Sequence, residues 1–382
     1  RFSLEDAAAV KGWERKTNHD VKAVELWLGE QLERRKLTAW KPWLHFGLTS
    51  EDVNNLAYTL NWKEALESTW LPLTGEIETT LRRSAREMAD IPLLALTHGQ
   101  PATPTTLGKE WAVVGRRLAR QLDRFASRRL TGKLSGATGT WAAHHLAYPR
   151  ADWLAFSRDF VESLGLEFTA YTTQVESYDS LAEDLDALQR IHSLLIDFVR
   201  DLWLYISRGI FRQQKKAAEV GSSTMPHKIN PIFFENAEGN LGLANALLQF
   251  LARHLTRSRL QRDLSGSTLI RNLGVALGYS YLGIRNILQG LSRIEPDRER
   301  CRQELNDHWE VLAEAIQTLL RKEGDARAYE RMKEFSRGEK VTRDAVRTWI
   351  ASLPLSEENK QVLKALTPDT YLGLARKLAE EC

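Results

Sequence analysis

The sequence predicts an all-α fold. Three observations carry that expectation: apolar residues recur every three or four positions, long stretches lack Gly and Pro, and strand alternation is nearly absent. The best-marked segment starts near Ser180, where Ser180 and Glu183 have capping-box spacing. From there Leu181, Leu185, Leu188, Ile191, Leu195, Phe198, Leu202 and Ile206 form one stripe, with no Gly or Pro until Gly209. At about 1.5 Å per residue such a helix is roughly 40 Å long. Residues 106–130, between Pro104 and Gly132, read as another long helix, and so do residues 234–255 after Pro231. A fourth, residues 267–291, ends before Pro296 and carries Gly274, Gly278 and Gly283 at spacings that permit close helix packing. Four stripes of this length exceed what one compact chain can hide, so an elongated bundle packing against copies of itself is expected. Beyond Pro296 a last region has its own helices and turns, the final helix opening with Thr367 as N-cap and Pro368 at N1.

A chain of 382 residues with 43% apolar content has room for two or three domains and a substantial core. Its 53 basic and 50 acidic side chains nearly balance, which argues against a dedicated nucleic-acid or membrane binder. A few converging Lys and Arg would still suit a small anionic substrate. Two cysteines, Cys301 and Cys382, do not make a disulfide framework. The most apolar run, residues 194–206, is broken by Asp197, Arg200 and Asp201, well short of the ~20 uncharged residues a membrane span needs. With no secretory signal, cytoplasmic residence is the default expectation. The chain starts at Arg1 without an initiator Met, as a fragment or processed product would.

Polar chemistry gathers in the loops between helices. In Gly221-Ser222-Ser223-Thr224-Met225-Pro226-His227-Lys228-Ile229-Asn230-Pro231, two prolines restrict a turn that holds hydroxyls, a cation and an amide. A serine alkoxide acting as base needs a nearby positive charge and N–H donors, which Lys228 and the loop backbone can supply. The same composition equally suits a polar connection that caps its neighbours. His98, in Thr97-His98-Gly99-Gln100-Pro101-Ala102-Thr103-Pro104, reads either as a hydrogen-bonded structural residue or as a general acid, with Glu235 able to orient it and hold it protonated. Asn18-His19-Asp20 and Thr49-Ser50-Glu51-Asp52 each stand before a helical segment, where hydroxyls and free N–H groups serve an anion or simply cap the helix.

Other features argue against alternative chemistries. Arg116, Arg120, Arg124 and Arg128 form a basic stripe, but Asp123 interrupts it and no aromatics interleave, so a solvated or subunit-contacting face is favoured over a nucleic-acid surface. The glycines of residues 133–140 lack the Gly-Lys-Ser/Thr ending of a phosphate loop. His144-His145 has no partner at zinc spacing, and no metal site is expected.

The 221–231 loop closely resembles the fumarase/aspartase superfamily signature Gly-Ser-Ser-x-Met-Pro-x-Lys-x-Asn-Pro, matching it at every fixed position. The 97–104 segment looks like that superfamily's catalytic-histidine loop. Within the superfamily, residues 17–25, the Thr49-Ser50-Glu51-Asp52 turn, residues 234–240, Gln261-Arg262-Asp263-Leu264 and Arg271-Asn272 resemble the bacterial-type adenylosuccinate lyase family over essentially the whole chain. Members of that family begin with several dozen further residues, including a Ser-Pro-x-x-x-Arg-Tyr type motif that helps grip the nucleotide. The resemblance therefore implies a first domain truncated at its start.

It further implies three helical domains at 1–47, 48–293 and 294–382. The central long-helix bundle would form a twenty-helix core in a homotetramer whose active sites draw on three subunits. The implied reaction is elimination of fumarate from adenylosuccinate and from the succinylated carboxamide ribotide of purine synthesis, without metal or organic cofactor. Ser222 is expected as the base, with Ser223 as the alternative, and His98 as the acid backed by Glu235. Lys228 and Asn230 would stabilise the intermediate. Thr49, Ser50, Thr97 and Gln174 would hold the succinyl carboxylates; Asn18, His19, Asp20, Arg262, Ser267 and Arg271 would hold the nucleotide. Rival readings are another lyase of the superfamily, such as an argininosuccinate lyase, a structural or regulatory protein on the same scaffold, and a helical nucleic-acid binder.

Overall fold

The computed structural model describes residues 2–214, 225, 228–335 and 341–382. Helices α1 (Leu4–Thr17) and α2 (Asp20–Arg34) open the chain, followed by a 3₁₀ segment, Thr38–Trp43. Helix α3 (Ser50–Ala65) runs through one π-helical turn, Leu66–Trp70, into α4 (Leu71–Glu87). The wide turn lies just ahead of Pro72, which has no N–H to donate, and the Leu71 N–H reaches back to the Leu66 carbonyl. A short arm follows, in which β1 (Pro92–Leu93) pairs with β4 (Thr105–Thr106) and β2 (Leu96–Thr97) with β3 (Gln100–Pro101), both antiparallel. Next come α5 (Leu107–Ala126), β5 (Thr131–Gly132), α6 (Ala142–Ala147), α7 (Trp153–Ser163) and β6 (Glu167–Phe168), with β6 parallel to β5. Helix α8 (Asp179–Ser207), β7 (Phe211–Gln213), α9 (Ile232–His254), α10 (Ser265–Ile270), α11 (Leu273–Leu291) and β8 (Ile294–Pro296) complete the long-helix region. Six shorter helices close the chain: α12 (Arg298–Asn306), α13 (Ala313–Lys322), α14 (Ala328–Phe335), α15 (Arg343–Ser352), α16 (Glu357–Ala365) and α17 (Ala375–Glu380). The all-α expectation holds, since every strand among the described residues has only two or three residues.

The long helices are where the apolar period placed them, with three local differences. Helix α8 begins at Asp179, after Tyr178 with φ 57°, so Ser180 lies inside the helix. Its hydroxyl is engaged by the Thr131 N–H at 3.0 Å and the Thr131 hydroxyl at 2.8 Å, a tertiary contact that takes the place of a cap. The 267–291 segment splits at Arg271-Asn272, where the Asn272 amide donates to the Thr268 carbonyl and competes with the helix. Near the C-terminus, Thr367 and Pro368 form a turn closed by the Thr370 N–H on the Thr367 carbonyl at 3.1 Å, and the last helix starts only at Ala375, beyond Gly373 with φ 51°. Proline after a hydroxyl residue serves a β-turn as well as a helix start. Gly274 and Gly278 meet nothing within 4 Å of an added Cβ among the described residues, whereas Gly283 lies against Leu241. Close approach is required at Gly108, where a Cβ would stand 2.3 Å from the Ala85 carbonyl oxygen.

The chain divides into two compact units. The first comprises Arg1–Pro72, Arg124–Arg190 and Leu243–Ser280. Its core contains Leu181, Leu185 and Leu188 of α8, together with Trp62 and Trp70. Each such apolar side chain contributes about 1.5–3 kcal/mol, more than an exposed ion pair's ~0–1 kcal/mol, so the stripe decides the packing. The second unit comprises Leu73–Asp123, Ile191–Gly242 and Tyr281–Cys382. There Trp111 packs against Phe198, Tyr205 and Phe211. Large apolar side chains still stand exposed on the long helices: Trp203 and Leu204 of α8, Leu243 and Phe250 of α9, and Val275 and Leu282 of α11. No helix among the described residues is long and apolar enough to cross a membrane.

One polar tie inside the first unit is sensitive to pH. Asp184 of α8 is 2% exposed and accepts the Trp62 indole N–H and the Arg128 guanidinium, each at 3.0 Å. Burial outweighs the attraction of Arg128 and raises its carboxyl from an ordinary 3.8 to about 6. The folded chain therefore binds this proton more tightly, so the stabilising contribution is complete below about pH 4 and is lost as pH rises through about 6. Asp184→Asn removes that dependence. Between those pH values its stability relative to wild type, read from urea unfolding, should shift in the variant's favour by up to about 3 kcal/mol.

Candidate active site

The site is built upward from the N-terminus of α3. Thr49 is its N-cap, and Asp52 accepts the Thr49 N–H at 2.9 Å to complete a capping box. The same carboxylate reaches into the 133–136 loop, taking the Ser135 N–H at 2.9 Å, the Gly136 N–H at 3.1 Å and the Lys133 ammonium at 2.9 Å. Both side chains of the Asp52–Lys133 pair are fully buried, and burial lowers the Lys133 pKa against the pull of Asp52. Asn55, one turn on, accepts the Lys133 N–H at 2.9 Å and donates to its carbonyl at 3.0 Å. These contacts fix the turn that presents Thr49, Ser50 and Glu51.

Arg262 then gathers three segments. One terminal nitrogen donates to the Ser50 hydroxyl at 3.2 Å and the Gln174 side-chain oxygen at 2.8 Å, and the other pairs with Glu51 at 3.2 Å. Gln174 is held in turn by its amide on the Ala137 carbonyl and its backbone N–H on the Gln261 carbonyl. Beside this node lies a cleft of roughly 470 Å³, open mouth included, lined by Glu51, Tyr58, Glu176, Tyr178, Arg262 and Ser267 among others. Burial raises the carboxyl of Glu176 and the phenol of Tyr178. Asp263, next to Arg262, is held down at about 2 by the hydroxyl and N–H of Ser265. Four expected residues, Ser50, Gln174, Arg262 and Ser267, thus share one cleft or its rim. Arg271 is the exposed C-cap of α10.

Asn18, His19 and Asp20 serve the joint between α1 and α2. Asn18 has φ 52° and caps α1, the His19 ring nitrogen accepts the Lys22 N–H at 3.3 Å, and Asp20 accepts the Val21 N–H at 2.8 Å. None of the three lines the Arg262 cleft.

His98 stands at the tip of the β1–β4 arm, in the second unit. Thr97 pairs with Gln100, so His98 and Gly99 form a two-residue turn, and their φ values of 54° and 73° are both positive, as a type I′ hairpin turn demands. Gly99 meets that demand freely, and histidine enters the left-handed region more readily than most residues. Thr97 and His98 are exposed. Glu235, in the first turn of α9, accepts the Trp203 indole N–H at 3.1 Å and makes no contact with His98 within the described chain. Lys228 and Asn230 belong to the 221–231 signature segment, where the Lys228 N–H donates to the Met225 carbonyl at 3.0 Å and Gln213 donates to the Ile229 carbonyl at 2.8 Å. Ser222 and Ser223 lie outside the described residues. No group of three potential metal-ligating side chains occurs among the described residues.

Comparison with known proteins sets this arrangement in a family. Residues 1–245 match the family described as "Lyase", and residues 258–372 match "Adenylosuccinate lyase C-terminal". The adenylosuccinate lyase of Escherichia coli strain K12 is 48% identical over 381 residues, covering 100% of this chain and 84% of the relative. The chain belongs to the adenylosuccinate lyase family. The Haemophilus influenzae member is 47% identical over 381 residues, again 100% of this chain and 84% of its own length. Among solved structures, the 3-carboxy-cis,cis-muconate lactonizing enzyme from Pseudomonas putida superposes with a TM-score of 0.76 at 26% identity, over 98% of this chain and 84% of that one. Fumarate lyase from Mesorhizobium sp. BNC1, at 19% identity and TM-score 0.75 over 98% of this chain and 85% of its own, shares the fold.

Glu51, Lys133 and Asp52 are the residues that sequence reasoning left without a role. The Thr49-to-Asp52 spacing was a usable signal for the capping box, but nothing local marks Lys133 as the partner of Asp52. Lys133→Met leaves the Asp52 carboxylate buried without its counter-charge. Stability should fall by about 3–5 kcal/mol, seen as a lowered urea midpoint, and a midpoint within error of wild type would refute the pair's structural role.

Proposed function

We propose that this chain eliminates fumarate from adenylosuccinate to give AMP, and from succinylated aminoimidazole carboxamide ribotide (SAICAR) to give AICAR, in purine nucleotide biosynthesis. The observation that carries this reading is the match to adenylosuccinate lyases over all of this chain and 84% of the relatives' length. The chemistry requires removal of a weakly acidic proton from the carbon beside a carboxylate, then cleavage of the C–N bond. Ser222, the first serine of the signature, is the base. Lys228 and Asn230 stabilise the negative charge that spreads onto the carboxylate of the intermediate. His98 protonates the departing nitrogen, with Glu235 orienting it, and acid and base on separate loops act from opposite faces of the substrate. Thr49, Ser50, Thr97 and Gln174 receive the succinyl carboxylates, and Arg262 receives the nucleotide. Ser267, Arg271 and the Asn18–Asp20 joint complete the nucleotide side.

The chain works as a homotetramer with domains at 1–47, 48–293 and 294–382. Its long helices form a twenty-helix core, and each site draws loops from three subunits. Two facts support this: Trp203, Leu204, Phe250 and Leu282 are exposed on the long helices, and among the described residues Glu235 bonds Trp203 and makes no hydrogen bond or ion pair with His98.

Absorbance-monitored cleavage of adenylosuccinate tests the reading directly, and failure to release AMP would refute it. Ser222→Ala and His98→Ala should each lower kcat by about 10²–10⁴-fold with the tetramer intact on size-exclusion chromatography. Near-normal turnover in either removes that residue from its role. Arg262→Lys cannot fork to three partners, and its KM should rise about tenfold or more while kcat changes less.

A further inference from the structure

The arm carrying His98 is too slight to hold itself. Its two ladders have two residue pairs each, and between them only the Ala102 N–H to the Ala95 carbonyl, at 2.9 Å, bridges the limbs. Isolated two-stranded ribbons of this size are marginal in water, so the position of the tip depends on what grips the limbs. Both grips come from the C-terminal helices. On the outgoing limb, Leu94 is buried with Leu305 and Val311, and its carbonyl accepts Arg208 at 3.3 Å. Arg208 is itself forked onto Glu304 of α12, at 3.2 and 2.7 Å. On the returning limb, the Thr103 hydroxyl donates to Glu314 of α13 at 2.6 Å, and the Tyr371 hydroxyl donates to the same oxygen at 3.1 Å.

We infer that Glu314 is a positioning residue for the elimination: through Thr103, and braced by Tyr371, it fixes the arm on which His98 meets the leaving nitrogen. The inference rests on the reading of His98 as the acid. Glu314 touches neither substrate nor His98, so its effect belongs to the geometry of proton delivery. A displacement of about 1 Å at a reacting group costs on the order of 10²-fold in rate, and binding by the Arg262 node is untouched.

The test measures kcat and KM on adenylosuccinate for wild type, Thr103→Val, Glu314→Ala, their combination, Glu314→Gln and His98→Ala, with tetramer size and thermal midpoint alongside. Thr103→Val and Glu314→Ala should each lower kcat about tenfold with KM within about twofold, and the combination should be no worse than the worse single variant. Glu314→Gln keeps an acceptor oxygen for both hydroxyls and should recover most of the loss. If Glu314→Ala fails to fold, Thr103→Val, an exposed near-isosteric change, decides alone. Wild-type kcat in Thr103→Val and Glu314→Ala beside an inactive His98→Ala overturns the clamp and leaves the acid reading intact. Losses that multiply in the combination, or that follow a fall in thermal midpoint, also overturn it. Wild-type turnover in His98→Ala overturns the acid reading, and the positioning role with it, whatever Glu314→Ala does.

Discussion

The buried pair between Asp52 and Lys133 is the constraint on which the Arg262 cleft depends. Taking two charges out of water costs several kcal/mol per ion, and their attraction offsets this only when the remaining hydrogen-bonding capacity is satisfied. Asp52 meets that condition by also accepting the N–H groups of Thr49, Ser135 and Gly136. One carboxylate thereby caps its own helix and docks the 133–136 loop onto that cap. Glu51 and Ser50 are then presented where Arg262 reaches both, and Arg262 in turn fixes Gln174. Hydrophobic burial builds the long helices. This short chain of polar contacts gives their ends a chemistry.

The arm that carries His98 follows a different physical logic. It is hung from the C-terminal helices through Leu94, Arg208 and Glu314, so the residues that hold His98 are far from it in sequence. The Arg262 node and the His98 arm are therefore anchored in different parts of the chain, each within its own compact unit.

What the sequence disclosed, and what it hid, divides along the same line. The apolar stripe of α8 and the cap at Thr49 were legible because they depend on residues three or four positions apart. Ser180 was misread as a cap because Thr131, which engages its hydroxyl, is remote in sequence. Lys133 sits in a stretch of Gly, Ser and Thr that suggests a solvated loop, and only the fold brings Asp52 to it. The backbone of the site was hidden for another reason. Asn18, His45, His98, Tyr178 and Leu260 all have positive φ, and each lies in or within a few residues of a segment expected to touch substrate. Non-glycine residues held there carry about 1–3 kcal/mol of strain apiece, and nothing in the residue type of Tyr178 or Leu260 advertises the conformation.

The tip of the arm gives this strain a further meaning. Because position 98 is left-handed, its backbone and its imidazole are separable requirements. Alanine removes the ring and also opposes the turn by about 1–2 kcal/mol, and a β-branched residue opposes it more strongly. Asparagine keeps the turn and drops the proton donor. A lineage that lost the imidazole would therefore pass most readily through Asn, Asp or Gly at 98, keeping the arm's shape without the ring. A homologue with Asn-Gly at this tip would carry the outline of the arm without its imidazole.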